Sequence, residues 1–354
     1  GTLNTAVGQN SGVAVTTGSY NTALGGHTLK LNTTGAQNTA IGMYALNANT
    51  TASLNTAIGY TALLANTTGV NNVAVGAYAL DHATTADENT AMGYGALSAN
   101  NTGSGNVAVG ARTLLLNTTG TNNTAVGYYA LTAATTAAYN TALGTQALAA
   151  NTTGASNTAI GGNALDANTT ASNNTAVGTS ALGANTTAAN NTAVGTSALA
   201  ANTTGAQNTA VGTYALDANT TGSYNTGVGY AVFDSNTTGA NNTAVGGLAL
   251  DANTTGAHNV AVGYNAGTAV TTGIENTCLG ASAGDTTTTG TNNVLLGSGA
   301  SVSAVDGSGA NVLGRNVSGE AGYTTLGSGS DDIRAAHGNV TWATVSDERY
   351  KKDI

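Results

Sequence analysis

The sequence predicts an all-β fold, a parallel β-roll or β-solenoid of 17-residue coils. Three observations lead there. First, the pentad N-[T/V]-x-[V/I/L/M]-G begins at Asn4 and returns every 17 residues through Asn293, eighteen copies without an insertion. A globular enzyme varies its loop lengths, whereas each coil of a solenoid must sit on the last. Second, the chain holds 50 Gly and no Pro, and only 6% of it is charged. Third, the repeat is rich in Thr, Asn and Gly, which are poor helix formers, and its pentad carries the β-branched residues that suit strands.

Taking the pentad Asn as position 1, the elements follow in order. Position 4 is always apolar, as in Val7, Leu24, Ile41 and Met92. Position 5 is always Gly. Gly8, Gly25, Gly42, Gly178 and Gly195 are therefore predicted turn residues, where a positive φ or a close backbone approach excludes a Cβ. Position 8 is usually Ala and position 9 usually Leu. Two short apolar stretches separated by Gly predict two strands and two turns per coil. Stacking at about 4.8 Å per coil predicts a rod on the order of 85 Å. Asn at position 1 should bond to Asn in the next coil, as amide ladders do.

A lone thin coil is poorly supported. Each coil offers about three sizeable apolar side chains, worth roughly 1.5–3 kcal/mol each when buried. Ordering the backbone costs roughly 1–2 kcal/mol per residue. Ala columns at positions 3 and 8 would let neighbouring chains approach closely, so the sequence predicts an oligomer, most simply a parallel homotrimer.

The repeat N-T-A-[V/I/L]-G-x-x-A-L resembles the head repeats of trimeric autotransporter adhesins of the YadA type. It is still more similar to 17-residue variants in phage tail fibres and bacterial surface fibres. The resemblance covers about residues 1–300 and implies a trimeric left-handed parallel β-roll. The adhesins use shorter coils. A three-sided left-handed β-helix is the alternative, since Val126–Leu131 fits a hexapeptide rung.

After Asn293 the count breaks, and the pentad-like N-V-L-G at Asn311 arrives one residue late and one residue short. The predicted organisation is a repeat shaft over 1–309, a β-rich cap or transition with the single Trp342 over 310–345, and a third segment over 346–354. The closing "SDERYKKDI" resembles the start of the intramolecular chaperone of endosialidase-type tail spikes. That resemblance implies a processing junction between Ser346 and Asp347. A register-setting chaperone has a physical rationale, because identical coils can align in many registers and a whole-coil slip keeps nearly every contact. The chain opens in mid-pattern at Gly1, so an N-terminal part is expected to be missing.

Composition and motifs narrow the function. Net charge is −9, and before residue 310 the only basic residues are Lys30 and Arg112. That argues against nucleic-acid binding, which needs a basic stripe. No apolar run is long enough to cross a membrane, and no signal peptide is visible. His27, His82, His258 and His337 occupy different columns. No metal-ligand spacing, cofactor motif or catalytic constellation occurs, so no enzyme activity is expected of this chain. Cys278 stands in an Ala column and reads as a small buried side chain. Asp recurs at position 10 (Asp81, Asp166, Asp217, Asp234, Asp251, Asp285), read as solvated turn residues. Tyr60, Tyr78, Tyr94, Tyr128 and Tyr129 form a stripe just after the invariant Gly. They are candidate glycan-binding residues, or cover for a chain-to-chain seam.

The sequence thus predicts a structural fibre shaft with a role in host-surface attachment. Its expected setting is a virion appendage such as a phage tail fibre, or else the cell surface or extracellular space. The alternatives are a bacterial trimeric adhesin or filament, and a lectin rod that uses the Tyr stripe to take a surface glycan or protein receptor.

Overall fold

The computed structural model describes residues 1–338 and the backbone of residues 343–344. The chain divides into two compact units, Gly1–Ala189 and Asn190–Ile354. Trp342, Ser346 and Asp347 lie outside the described residues.

Each unit is a parallel β-solenoid, and no helix occurs among the described residues. In the first unit a three-residue strand recurs every 17 residues from Thr5–Val7 to Thr175–Val177. Within the unit, neighbouring strands pair in parallel one coil apart, Thr5 opposite Thr22 and Thr158 opposite Thr175. The second unit repeats the pattern from Thr192–Val194 to Val294–Leu296.

Each coil before Asn293 holds one strand rather than the two that the apolar pattern predicts, and the coil from Asn293 adds a second, Ser301–Val302. Positions 6–11 are turns. The reason lies at position 9, where Leu adopts the left-handed region, with φ 50° at Leu46, 54° at Leu148 and 52° at Leu199. A branched Cβ is costly there, and column 9 of the repeat indeed contains Leu, Phe, Gly and Ser but no Val, Ile or Thr. Its N–H still bonds across coils, as from Leu46 to Ala62 O at 3.1 Å. Position 5 explains the invariant Gly. Gly59 has φ +140°, and a Cβ there would stand 2.5 Å from Gly76 O in the next coil.

The interior is narrow and partly polar. Strand side chains alternate, so position 3 points inward while 2 and 4 point out. The core is Ala at 3, Ala at 8 and Leu at 9, as in Ala57, Ala62 and Leu63, all fully buried. The Ala columns therefore line the inside of each coil and do not form the chain-to-chain seam expected of them. Most coils fully bury only one sizeable apolar side chain, not three; the coil from Asn225 buries two, Val232 and Phe233. Position 4 faces outward, leaving Leu24 49%, Met92 44% and Leu143 46% exposed.

Two buried Asn ladders complete the core. At position 1, Asn106 N–H donates to Asn89 Oδ1 at 3.0 Å, and Asn106 Nδ2 to Gly120 O at 2.9 Å. At position 12, Asn117 Nδ2 donates to Asn100 Oδ1 at 2.8 Å and to the same Gly120 O at 3.0 Å. Both ladders thus converge on the carbonyl of position 15. Thr at position 13 adds a third column, with Thr50 Oγ1 donating to Thr67 O at 3.1 Å.

The count does not break at Asn293. Val294 pairs with Asn311, so the strand Asn311–Arg315 keeps the 17-residue register. Ala310 stands at position 1, and its N–H donates to Asn293 Oδ1 at 2.9 Å. Gly314, at φ +148°, is the next turn glycine. Only then does spacing change. Asn311–Arg315 pairs in parallel with Tyr323–Ser328, Asn311 opposite Thr324, and that strand turns back antiparallel to Asp331–Ala336.

Position 9 supplies a direct test. Leu148→Ile conserves volume but places a branched Cβ at φ 54°, and should cost about 1–3 kcal/mol. Ile160→Leu, on the outward strand position, should change stability by less than about 0.5 kcal/mol. Denaturant midpoints of the two variants would measure the contrast; equal midpoints would show that the left-handed turn does not select Leu.

Candidate ligand-binding surface

Six of the eight tyrosines of the first unit stand at positions 6 and 7, all but Tyr20 and Tyr139. Positions 6 and 7 follow the turn glycine, and position 7 is left-handed (Tyr44 φ 63°, Tyr78 φ 60°, Arg112 φ 56°, Tyr129 φ 57°). Each of these residues bonds to the preceding coil through its backbone, as Tyr78 N–H does to Tyr60 O at 3.0 Å. Neighbouring side chains are thereby held one coil apart.

His27 stacks on Tyr44 with centroids 5.0 Å apart. Tyr60 then meets Tyr78 edge-on at 5.5 Å, and Tyr78 meets Tyr94 at 5.6 Å. Two coils beyond Tyr94, Tyr128 and Tyr129 pack edge-on at 4.3 Å. Between the two groups stands Arg112. Its Nη1 donates to the Tyr129 hydroxyl, and its guanidinium lies 5.6 Å from the Tyr129 ring centroid. Tyr60, Tyr78, Tyr94 and Tyr128 are exposed, and Tyr129 is half-buried.

The electrostatics follow the hydrogen bonds. The Arg112 hydrogen bond lowers the Tyr129 hydroxyl below its ordinary value, with Tyr128 assisting. Tyr128, hydrogen-bonded to Tyr129, is raised. Arg112 is raised by the same bond to Tyr129.

Tyr78, Tyr94, Gly95, Ser98, Arg112 and Leu115 enclose a notch of about 310 Å³. Gly95 occupies position 7 with φ +63°, where the neighbouring coils carry Tyr78 and Arg112. The missing side chain opens the space. Ser98 Oγ donates to Asp81 Oδ1 at 2.7 Å.

The sequence picked out Tyr60, Tyr78, Tyr94, Tyr128 and Tyr129; the structure brings the first three into one row and the last two into a pair. It missed Arg112, Gly95, Ser98 and Leu115. A signal was present, because Arg112 is the sole arginine before Arg315 and shares column 7 with the tyrosines. The second unit carries a smaller pairing, Tyr214 with Tyr230 at 6.3 Å.

Asp234 and Asp285 are exposed, as predicted, whereas Asp81, Asp166, Asp217 and Asp251 are less solvated. Burial raises Asp166. Asp217 is pushed up to about 6, first by burial and then by the Asp234 charge one coil on. Asp251 Oδ1 accepts from Thr268 Oγ1 at 2.6 Å. Among the described residues no three His, Cys, Asp or Glu side chains group as a metal site. Cys278 is buried, and desolvation pushes its thiol up to about 12.

Asp217 gives a signed pH dependence. Its folded value, about 6, lies above the usual carboxylate value of about 3.9. The folded state therefore takes up a proton first, and stability should rise as pH falls from 7 through about 6, with the gain complete below about 4. Asp217→Asn should melt higher than wild type at pH 7, and the two curves should meet near pH 4. A variant that melts no higher at pH 7 would place the Asp217 charge in ordinary solvent.

No protein family, characterised protein or solved structure matches this chain.

Proposed function

We propose that this chain is the shaft of a homotrimeric fibre, a phage tail fibre or similar virion appendage. It presents or contributes to host-surface attachment and is matured by release of a C-terminal chaperone at Ser346–Asp347. One observation carries the reading: each coil turns an aliphatic side chain outward at position 4, in a row fixed by the strand register. Such rows are uncommon on isolated soluble chains and mark surfaces that associate.

The magnitudes support association of like chains. Burying the exposed half of one such side chain is worth about 1 kcal/mol. The six exposed members of the row in the first unit, Val7, Leu24, Ile58, Met92, Leu143 and Ile160, would together supply about 6 kcal/mol per chain, within the 4–15 kcal/mol that association costs. An identical chain presents the row at an identical spacing.

Sedimentation of the purified protein should give three times the chain mass. Replacing the outward row by Ser at Leu24, Ile58, Met92 and Leu143 should dissociate it. When made with its downstream segment, the wild type should be cut after Ser346, and Ser346→Ala should remain uncut by intact mass. A folded wild-type monomer would refute the fibre reading.

A further inference from the structure

We propose that the notch between Tyr78, Tyr94 and Arg112 is a binding site for a carboxylate-bearing sugar, such as a uronic acid. The proposal goes beyond the fibre reading and concerns the surface of one chain, whether or not chains associate.

The site departs from the repeat in three ways at once. Gly95 is the one glycine at position 7 in the first unit. A Cβ there would meet only Leu115 Cδ1, at 3.5 Å, so close packing does not demand the glycine. What the glycine provides is open volume. Arg112, in the following coil, is the only arginine of that unit in a chain of net charge −9. The described ion pairs are His82–Asp81 and Arg334–Glu320, so Arg112 has no carboxylate partner among the described residues. Its one recorded side-chain bond uses a single N–H on Tyr129 and leaves further donors in a fork that matches a carboxylate. The Tyr129 ring and hydroxyl hold the guanidinium in place.

The remaining lining fits a sugar better than a bare anion. The Tyr78 and Tyr94 rings and Leu115 supply apolar faces for the C–H surface of a pyranose. Ser98 gives its proton to Asp81, so towards the notch it offers an oxygen that accepts from a sugar hydroxyl. The Asp81 carboxylate is buried and engaged with Ser98 and His82, which limits its repulsion of an anionic ligand. A volume of about 310 Å³ lies at the small end of ligand sites and suits one or two sugar rings.

Calorimetric titration with trigalacturonate tests the proposal, using the intact protein. The wild type should bind with a dissociation constant of about 0.1–1 mM. The methyl-esterified trisaccharide, of the same shape but uncharged, should bind at least about tenfold more weakly, as loss of a charge-assisted hydrogen bond predicts. R112Q should show the same loss. G95N should also lose binding while retaining Arg112, because Asn tolerates the left-handed backbone and would fill the notch. Melting midpoints close to wild type in either variant exclude unfolding as the cause. No binding by the wild type at about 10 mM ligand, or binding by R112Q or of the ester within about twofold of the wild-type acid complex, would overturn the assignment.

Discussion

The repeat depends on one carbonyl oxygen per coil, that of position 15, and on the amides that reach it, two in most coils and one where position 12 is not Asn. Asn38 and Asn49 both donate to Ala52 O, at 2.8 and 3.0 Å. Asn106 and Asn117 do the same at Gly120 O. A primary amide has two donors and an acceptor oxygen. It can therefore close its own coil with one proton and hold the neighbouring coil with the other groups. An acid, hydroxyl or aliphatic chain at the same place would leave a buried partner unpaired, at about 1–3 kcal/mol each. A 17-residue coil is too narrow for a large apolar core, and the ladders provide interior cohesion that Ala and Leu alone would not.

That polar interior governs the backbone around it. With the Asn columns inside, the coil must turn within a few residues, and it does so by placing positions 5, 7, 9 and 17 at positive φ. Such residues outside glycine cost of order 1 kcal/mol or more each. The compensation comes from coil-to-coil hydrogen bonds and from full burial of Leu at position 9. Since the apolar residue at position 4 is not needed inside, it is left on the surface. The same geometry places positions 6 and 7 at the corner after the turn glycine, where a change of side chain alters the surface and leaves the stack intact. The Tyr row and the Arg112 notch are such changes.

The coil length, the parallel register and the position-1 ladder were legible because each is a column property that repetition exposes directly. The number of strands was not. Periodicity reports which residues are apolar, while the left-handed φ of Leu46 or Leu148 is a backbone fact whose only trace is the absence of Val, Ile and Thr from column 9. The continuation past Asn293 was hidden for a related reason. The Asn column ends at Asn293, but Gly314 keeps the spacing from Gly297, and Ala310 fills the Asn place. Individual tyrosines of the surface were legible by type. Their grouping around Arg112 was not, because it depends on side-chain directions across several coils and on a space left by Gly95.

Where the position-12 column lacks Asn, the ladder should fail, and it does. Asn66, Asn117 and Asn253 have buried Oδ1 atoms without a partner, and the next coil at each place carries Ala83, Ala134 or Val270. Restoring the missing amide is the most direct test of the central claim. Asn in place of Ala83 would donate to Asn66 Oδ1 and accept from Asn100, closing the gap in the ladder. The denaturant midpoint of Ala83→Asn should therefore correspond to a gain of about 1–2 kcal/mol over wild type. A midpoint unchanged or lowered in a folded variant would contradict the view that amide ladders hold the coils together.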